Sequence, residues 1–106
     1  MPKNVKIIVF TPIGSTDKIR EAMANAGAGQ IGNYSHTSFS SSGIGRFKPL
    51  KNAKPAIGQI DKLEEVEEER IEVICTYDKA RDVIQAIKSV HPYEEPAIDT
   101  YTLENI

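Results

Sequence analysis

Apolar positions along the chain recur with two different periods, and the alternation of those periods predicts its elements. Asn4 to Thr11 is a β-branched and aromatic run, closed by Pro12, and reads as a strand. Ser15 or Thr16 then offers a helix N-cap, with Asp17 and Glu21 in the early turns. Ile19, Ala22, Met23 and Ala26 follow at helical spacing, and Gly27 stands where a left-handed residue ends a helix. Tyr34 to Ser41 alternates as a strand of modest hydrophobicity, fitting an edge position. Ser42-Gly43-Ile44-Gly45 has turn chemistry, and Arg46-Phe47-Lys48 reads as a short returning strand. Residues 49–63 are irregular, with Pro49, Pro55 and Gly58. A loop this long in a compact domain usually has a task or packs on a neighbour. Ile71, Val73, Cys75 and Tyr77 alternate on one face of a further strand. Asp78 is the candidate N-cap of a second helix, whose stripe is Ala80, Val83, Ile84, Ile87 and Val90. His91-Pro92 ends it, because proline disfavours helical geometry in the residue before it. Residues 97–103 form the last strand.

The predicted order is β-α-β-β-α-β. It defines an α+β, ferredoxin-like fold: an antiparallel sheet with two helices on one face. The 106 residues suit a single domain spanning 1–106. Hydrophobic residues make up 40% and charged residues 26%, with a net charge of −2. No basic face is evident, which argues against a nucleic-acid partner. Apolar stretches are too short for a membrane span, and Val5 to Phe10 is too short for a signal peptide core. With one cysteine, Cys75, no internal disulfide forms. The expectation is a cytoplasmic protein without a membrane partner.

Several groups carry candidate chemistry, each beside a plainer reading. Gly27-x-Gly29-x-x-Gly32 has the letters of a dinucleotide fingerprint, but it follows a helix and enters a strand, the reverse of what that motif needs. It is either a helix cap with a tight loop or a nest of N–H groups for an anion. His36 and His91 are the only histidines; with Glu94 and Glu95 they are candidate metal ligands, since Zn²⁺ or Cu²⁺ accepts imidazole and carboxylate together. The plainer reading has His91 capping the helix C-terminus, Tyr93 packing on the sheet, and both glutamates facing solvent or a subunit interface. Cys75 reads as a small buried hydrophobe. Five of residues 64–69 are Glu, which suggests a solvated segment or an edge strand guarded by charge. The serines of 35–42 lack a nucleophile elbow and read as a polar hairpin.

Five segments together resemble one known family. They are Gly27-Ala-Gly-Gln-Ile-Gly-Asn-Tyr-Ser-His36 with Phe39; Gly43-Ile-Gly-Arg-Phe-Lys-Pro49; Pro55-Ala-Ile-Gly58; Glu69-Arg-Ile-Glu72; and His91-Pro-Tyr-Glu-Glu-Pro-Ala97. Across residues 5–103 the chain resembles the domain inserted in YqfO-type members of the NIF-three-like superfamily, here standing alone. The resemblance implies a subunit like those of CutA and nitrogen-regulatory PII proteins, which commonly form trimers. It also implies that residues 38–47 are a partner-contacting loop. The parents' two-metal site lies in flanking segments that this sequence does not contain, so their hydrolase chemistry is not carried over. Thr37 and Gln30 stand where that family often has cysteine and histidine, which removes two potential ligands.

The sequence thus predicts a small oligomeric (trimeric or dimeric) binding or regulatory module and not an enzyme. Its expected ligand groups are Gly27, Gly29, Gly32, Asn33, Tyr34 and Tyr93, and its expected metal ligands are His36, His91, Glu94 and Glu95. A divalent metal ion is the candidate cofactor and a small anion the other candidate ligand. Both segments are expected to meet in a groove between subunits. The alternatives are a protein-interaction module acting through residues 38–58 and, third, a metal-assisted hydrolase using Glu94 or Glu95 as base.

Overall fold

The β-branched run that opens the chain becomes strand β1 (Asn4–Pro12) in the computed structural model, which describes residues 3–106. A 3-10 turn (Ile13–Ser15) leads into helix α1 (Thr16–Asn25). Strands β2 (Phe39–Phe47) and β3 (Glu64–Thr76), helix α2 (Tyr77–Val90) and strand β4 (Ile98–Thr102) follow. The sheet order is β2-β3-β1-β4, antiparallel throughout. That is the ferredoxin-like βαββαβ arrangement read from the sequence.

Both helices cover the same sheet face. Ile19 and Met23 of α1 and Val83 and Ile87 of α2 bury against Val5, Ile7 and Val9 of β1 and Ile71, Val73 and Cys75 of β3. At about 25 cal/mol per Å² of apolar surface, this layer is the main source of stability. Cys75 belongs to it as a buried hydrophobe, and burial pushes its thiol pKa up, away from reactivity.

The helix ends follow local chemistry. After the Ala26 cap, Gly27 takes φ 111°. Its N–H donates to Ala24 O at 3.0 Å, and Ala28 N–H donates to Met23 O at 3.0 Å. These are the two bonds of a Schellman motif, completed by burial of Met23 and Ala28 together. Helix α2 stops at Val90, with His91 extended (φ −72°, ψ 135°) ahead of Pro92.

Three expectations are corrected or narrowed. Strand β2 does not lie at 34–41 with a turn at 42–45: it runs straight through Ser42-Gly43-Ile44-Gly45, and residues 34–38 precede it, with Tyr34 in an isolated bridge to Ile31 and a bend at His36. Of the two readings of the glutamate run, the strand holds in part: it is the first half of a 13-residue β3, in register with β2 from Glu64↔Phe47 to Glu72↔Phe39, with Glu65 and Glu67 exposed. Cross-strand pairing overrides the weak strand preference of Glu and Gly. The N-cap of α2 is Thr76, two residues before the expected Asp78, and Tyr77 opens the helix instead of closing the strand. Since β1 meets β3 only from Pro12↔Glu68 onward, residues 64–67 pair with β2 alone as a two-stranded arm.

Directly paired residues share a face. The face away from the helices therefore carries Gly45, Phe47, Val66, Glu68 and Phe10, and also Phe39 and Tyr101, which are 66% and 53% exposed.

Candidate functional site

The polar corner after α2 is tied to this open face. Pro92 fixes the chain as it leaves the helix, and His91, 9% exposed, turns its ring toward β1. His91 Nε2 lies 2.8 Å from Phe10 O, and Tyr93 N–H donates to His91 Nδ1 at 3.0 Å. A carbonyl accepts only, so Nε2 carries the proton and Nδ1 accepts: the ring is neutral in this geometry. Burial lowers the His91 pKa, against the smaller opposing pull of the Phe10 carbonyl and the Glu68 charge. His91 therefore does not serve as a charged C-terminal cap. It staples the corner to β1.

Tyr93 extends the staple to β3. Its hydroxyl donates to Glu68 Oε2 at 2.7 Å, and its ring lies 5.9 Å from that of Phe47 and 5.0 Å from that of His91. Burial, then the hydrogen bond to Glu68 and its charge, push the Tyr93 pKa strongly upward. The Glu68 residue is only 8% exposed. A Cβ at Gly45 would overlap its carboxylate, so glycine at that strand position makes its seat. Among the described residues no Lys, Arg or His forms an ion pair with Glu68.

Over these groups lies a cavity of about 280 Å³, walled by Phe10, Phe47, Pro55, Ile57 and Tyr93, with Glu68, Glu94 and Glu95 as its acidic lining. The long loop forms one wall. Asp61 N–H closes it on Pro49 O at 2.7 Å, and Lys54 N–H fixes it to Glu94 Oε1 at 3.0 Å.

The other expected site residues lie elsewhere. Gly27 packs against Lys79 in the first turn of α2, whereas His91 follows its last residue. Fourteen helical residues span about 21 Å, so within one chain the glycine loop and the corner sit at opposite ends of α2. Gly29 (φ 83°) donates to Ile74 O at 2.7 Å, and its own O accepts from Thr37 N and Thr37 Oγ1 at 3.0 and 2.9 Å. Ile31 and Tyr34 bond each other across a turn through Gly32 (φ 54°) and Asn33. Three of the loop's N–H groups are thereby spent on carbonyls. Tyr34 is 74% exposed.

His36 takes φ 61°, and its Nδ1 lies 2.9 Å from Ser35 Oγ. It lines a separate, open cavity of about 390 Å³ with Asp17, Arg20, Glu21 and Thr37. Among the described residues, no three His, Cys, Asp or Glu side chains gather to hold a metal ion. The structure brings His91, Glu94 and Glu95 to one corner and leaves His36 out of it. As placed, this donor set does not fit a metal within one chain.

Sequence reasoning missed Glu68 and Gly45. Their signal was a Gly-x-Gly inside an otherwise regular strand, a mark of close approach. The surrounding glutamates hid it.

No family model matches the chain. It is 50% identical over 100 residues to a GTP cyclohydrolase 1 type 2 homolog of Halalkalibacterium halodurans, a match covering 94% of this chain and 27% of that protein. The chain thus spans about a quarter of the length of the curated relatives it matches. Among solved structures, a Bacillus cereus protein related to NIF3 superposes with a TM-score of 0.86 at 44% identity, over 98% of this chain and 26% of that one. CutA from Archaeoglobus fulgidus superposes at 0.71 with 16% identity, over 96% and 85% of the two chains. GlnK of Bacillus subtilis superposes at 0.63 with 13% identity, over 96% and 84%. The last two show a shared fold. No helix is long and apolar enough to cross a membrane, among the described residues.

Proposed function

Because the chain is a CutA/PII-like domain of the kind carried within NIF3-related proteins, we propose that it is a small binding and regulatory module whose ligand occupies the cavity over Glu68 and Tyr93. One observation carries this reading: a buried carboxylate, seated by Gly45 and held by Tyr93, faces a walled cavity without a cationic partner among the described residues. Buried carboxylates are costly unless compensated. Held by Gly45 and Tyr93 at the wall of an otherwise apolar cavity, this carboxylate is the placed polar group expected of a ligand site. The reading takes residues 1–106 as one cytoplasmic domain and assigns no catalytic residue.

The module would act as a homo-oligomer. Strands β2 and β4 both present free edges, and Phe39 and Tyr101 lie exposed on the sheet face between them. A trimer or dimer that covers them would also bring the Gly27–His36 loop of one subunit toward the corner of the next. There, Gly32, Asn33 and Tyr34 would join Tyr93, and His36 would join His91, Glu94 and Glu95, around an anion or a divalent metal. To ligate, His91 would have to release Phe10 or Tyr93.

A second reading, an interaction module acting through residues 38–58, is favoured by the exposure of Phe39, Ile44 and Leu50 on that segment. Isothermal titration of the purified oligomer with Zn²⁺, Cu²⁺, ammonium salts and nucleotides tests the first reading. Saturable heat that Glu68→Gln abolishes supports it. Absence of heat with every probe, with the oligomer intact, would remove it.

A further inference from the structure

We infer that the cavity beside Tyr93 takes a small organic ammonium ion, bound by the Glu68 carboxylate among aromatic walls. This rests on the binding-module reading and narrows it to one ligand class. The Glu68 residue is 8% exposed, and its one hydrogen-bond donor among the described residues, the Tyr93 hydroxyl, is neutral. Its Oε1 fills the space that glycine leaves at position 45, which holds the carboxylate in place at the cavity wall. An arriving cation therefore meets a carboxylate already stripped of most of its water, where attraction is stronger than at the surface.

The walls select which cation. A bare metal ion needs four or more donors, such as the four of a zinc site or the six to eight oxygens around calcium. Here no three candidate donors gather, among the described residues, and Phe10, Phe47, Pro55, Ile57 and Tyr93 supply apolar surface instead. An ammonium on a short alkyl chain uses both features: its charge pairs with Glu68, its carbons cover the apolar wall, and aromatic rings favour cations. The volume of about 280 Å³ lies just below the usual range for drug-sized ligands, and so suits a small amine rather than a nucleotide. Of the two cationic residues on the lining, Arg46 is answered by Glu65 at 3.4 Å, and Lys48 sits exposed. Glu94 and Glu95 add negative potential.

The test is an amide-shift NMR titration of the full chain with n-butylammonium and tetramethylammonium chloride, against sodium chloride at equal ionic strength. Saturable shifts at Phe47, Glu68 and Tyr93 are expected. Glu68→Gln, checked for folding by circular dichroism, should weaken binding at least about tenfold, as loss of a charged hydrogen-bonded partner does. Lys48→Gln removes an exposed cation from the lining, and should bind as tightly as the natural chain or more tightly. Equal binding by Glu68→Gln, weaker binding by Lys48→Gln, or no saturable shift with either ammonium ion overturns the inference. If Zn²⁺ or phosphate shifts these residues while ammonium ions do not, the cavity is a site of another class. If no probe shifts them, the binding-module reading falls as well.

Discussion

Replacing Tyr93 with Phe removes one oxygen and leaves the ring against Phe47 and His91. The cost falls on Glu68, which loses its donor while remaining buried. A hydrogen bond to a charged group contributes about 1.5–3 kcal/mol, and a buried acceptor left unsatisfied accounts for much of that. Tyr93→Phe should therefore destabilise by about 2 kcal/mol in urea denaturation at pH 7, with the m-value unchanged. In a Glu68→Ala background the same substitution should cost less than about 0.5 kcal/mol, because no carboxylate remains to be stranded. The raised phenol pKa adds a signature with a definite sign. Stability from this group is fully present below the unfolded pKa near 10 and declines as pH rises beyond it. Tyr93→Phe should lack that alkaline decline. A cost for Tyr93→Phe that is equal in both backgrounds would refute the staple.

Three further outcomes follow from the same structure. His91 has a lowered folded pKa, so its contribution is present above the unfolded value near 6.5 and declines as pH falls through that value toward the folded one; unfolding free energies from denaturant titrations between pH 7.5 and 5 should fall in the natural chain by at most about 1.4 kcal/mol per pH unit from this group, and less steeply in His91→Gln. Gly27→Ala places a Cβ on a residue at φ 111° and should cost about 1–2 kcal/mol in thermal unfolding, whereas Gly14→Ala, with open space around it, should be near neutral. Ile71→Ala opens a cavity under both helices and should cost about 2–5 kcal/mol by chemical denaturation.

The elements that sequence predicts well are those fixed by local chemistry. Residues 4–11 carry their own strand preference, Gly27 ends α1 by its backbone freedom, and Pro92 stops α2 at Val90. What escapes is set by pairing at a distance. Ser42-Gly43-Ile44-Gly45 has turn residues yet lies flat, because Glu64 to Glu72 supplies its ladder partner. Those glutamates look solvated until the pairing fixes their faces: Glu69 turns to Arg20 at 2.9 Å on the helix side, and Glu68 turns to Tyr93. The corner 91–96 is legible as a helix stop. Its partners Phe10, Gly45 and Glu68 lie more than 20 residues away in sequence and contribute a carbonyl, an absent side chain and one member of an acidic run. Within one chain α2 holds the segments of His36 and His91 apart, so the expected groove would have to form between subunits.

The most direct test of the account is whether the cavity over Glu68 and Tyr93 binds anything at all. A crystal of the full chain grown with n-butylammonium chloride answers it by placing, or failing to place, the ligand nitrogen. That nitrogen is expected within hydrogen-bond distance of Glu68, with Tyr93 still donating to the carboxylate. A cavity filled by the chain's own Lys48, or ligand density found only at the Gly27–His36 loop, would contradict it.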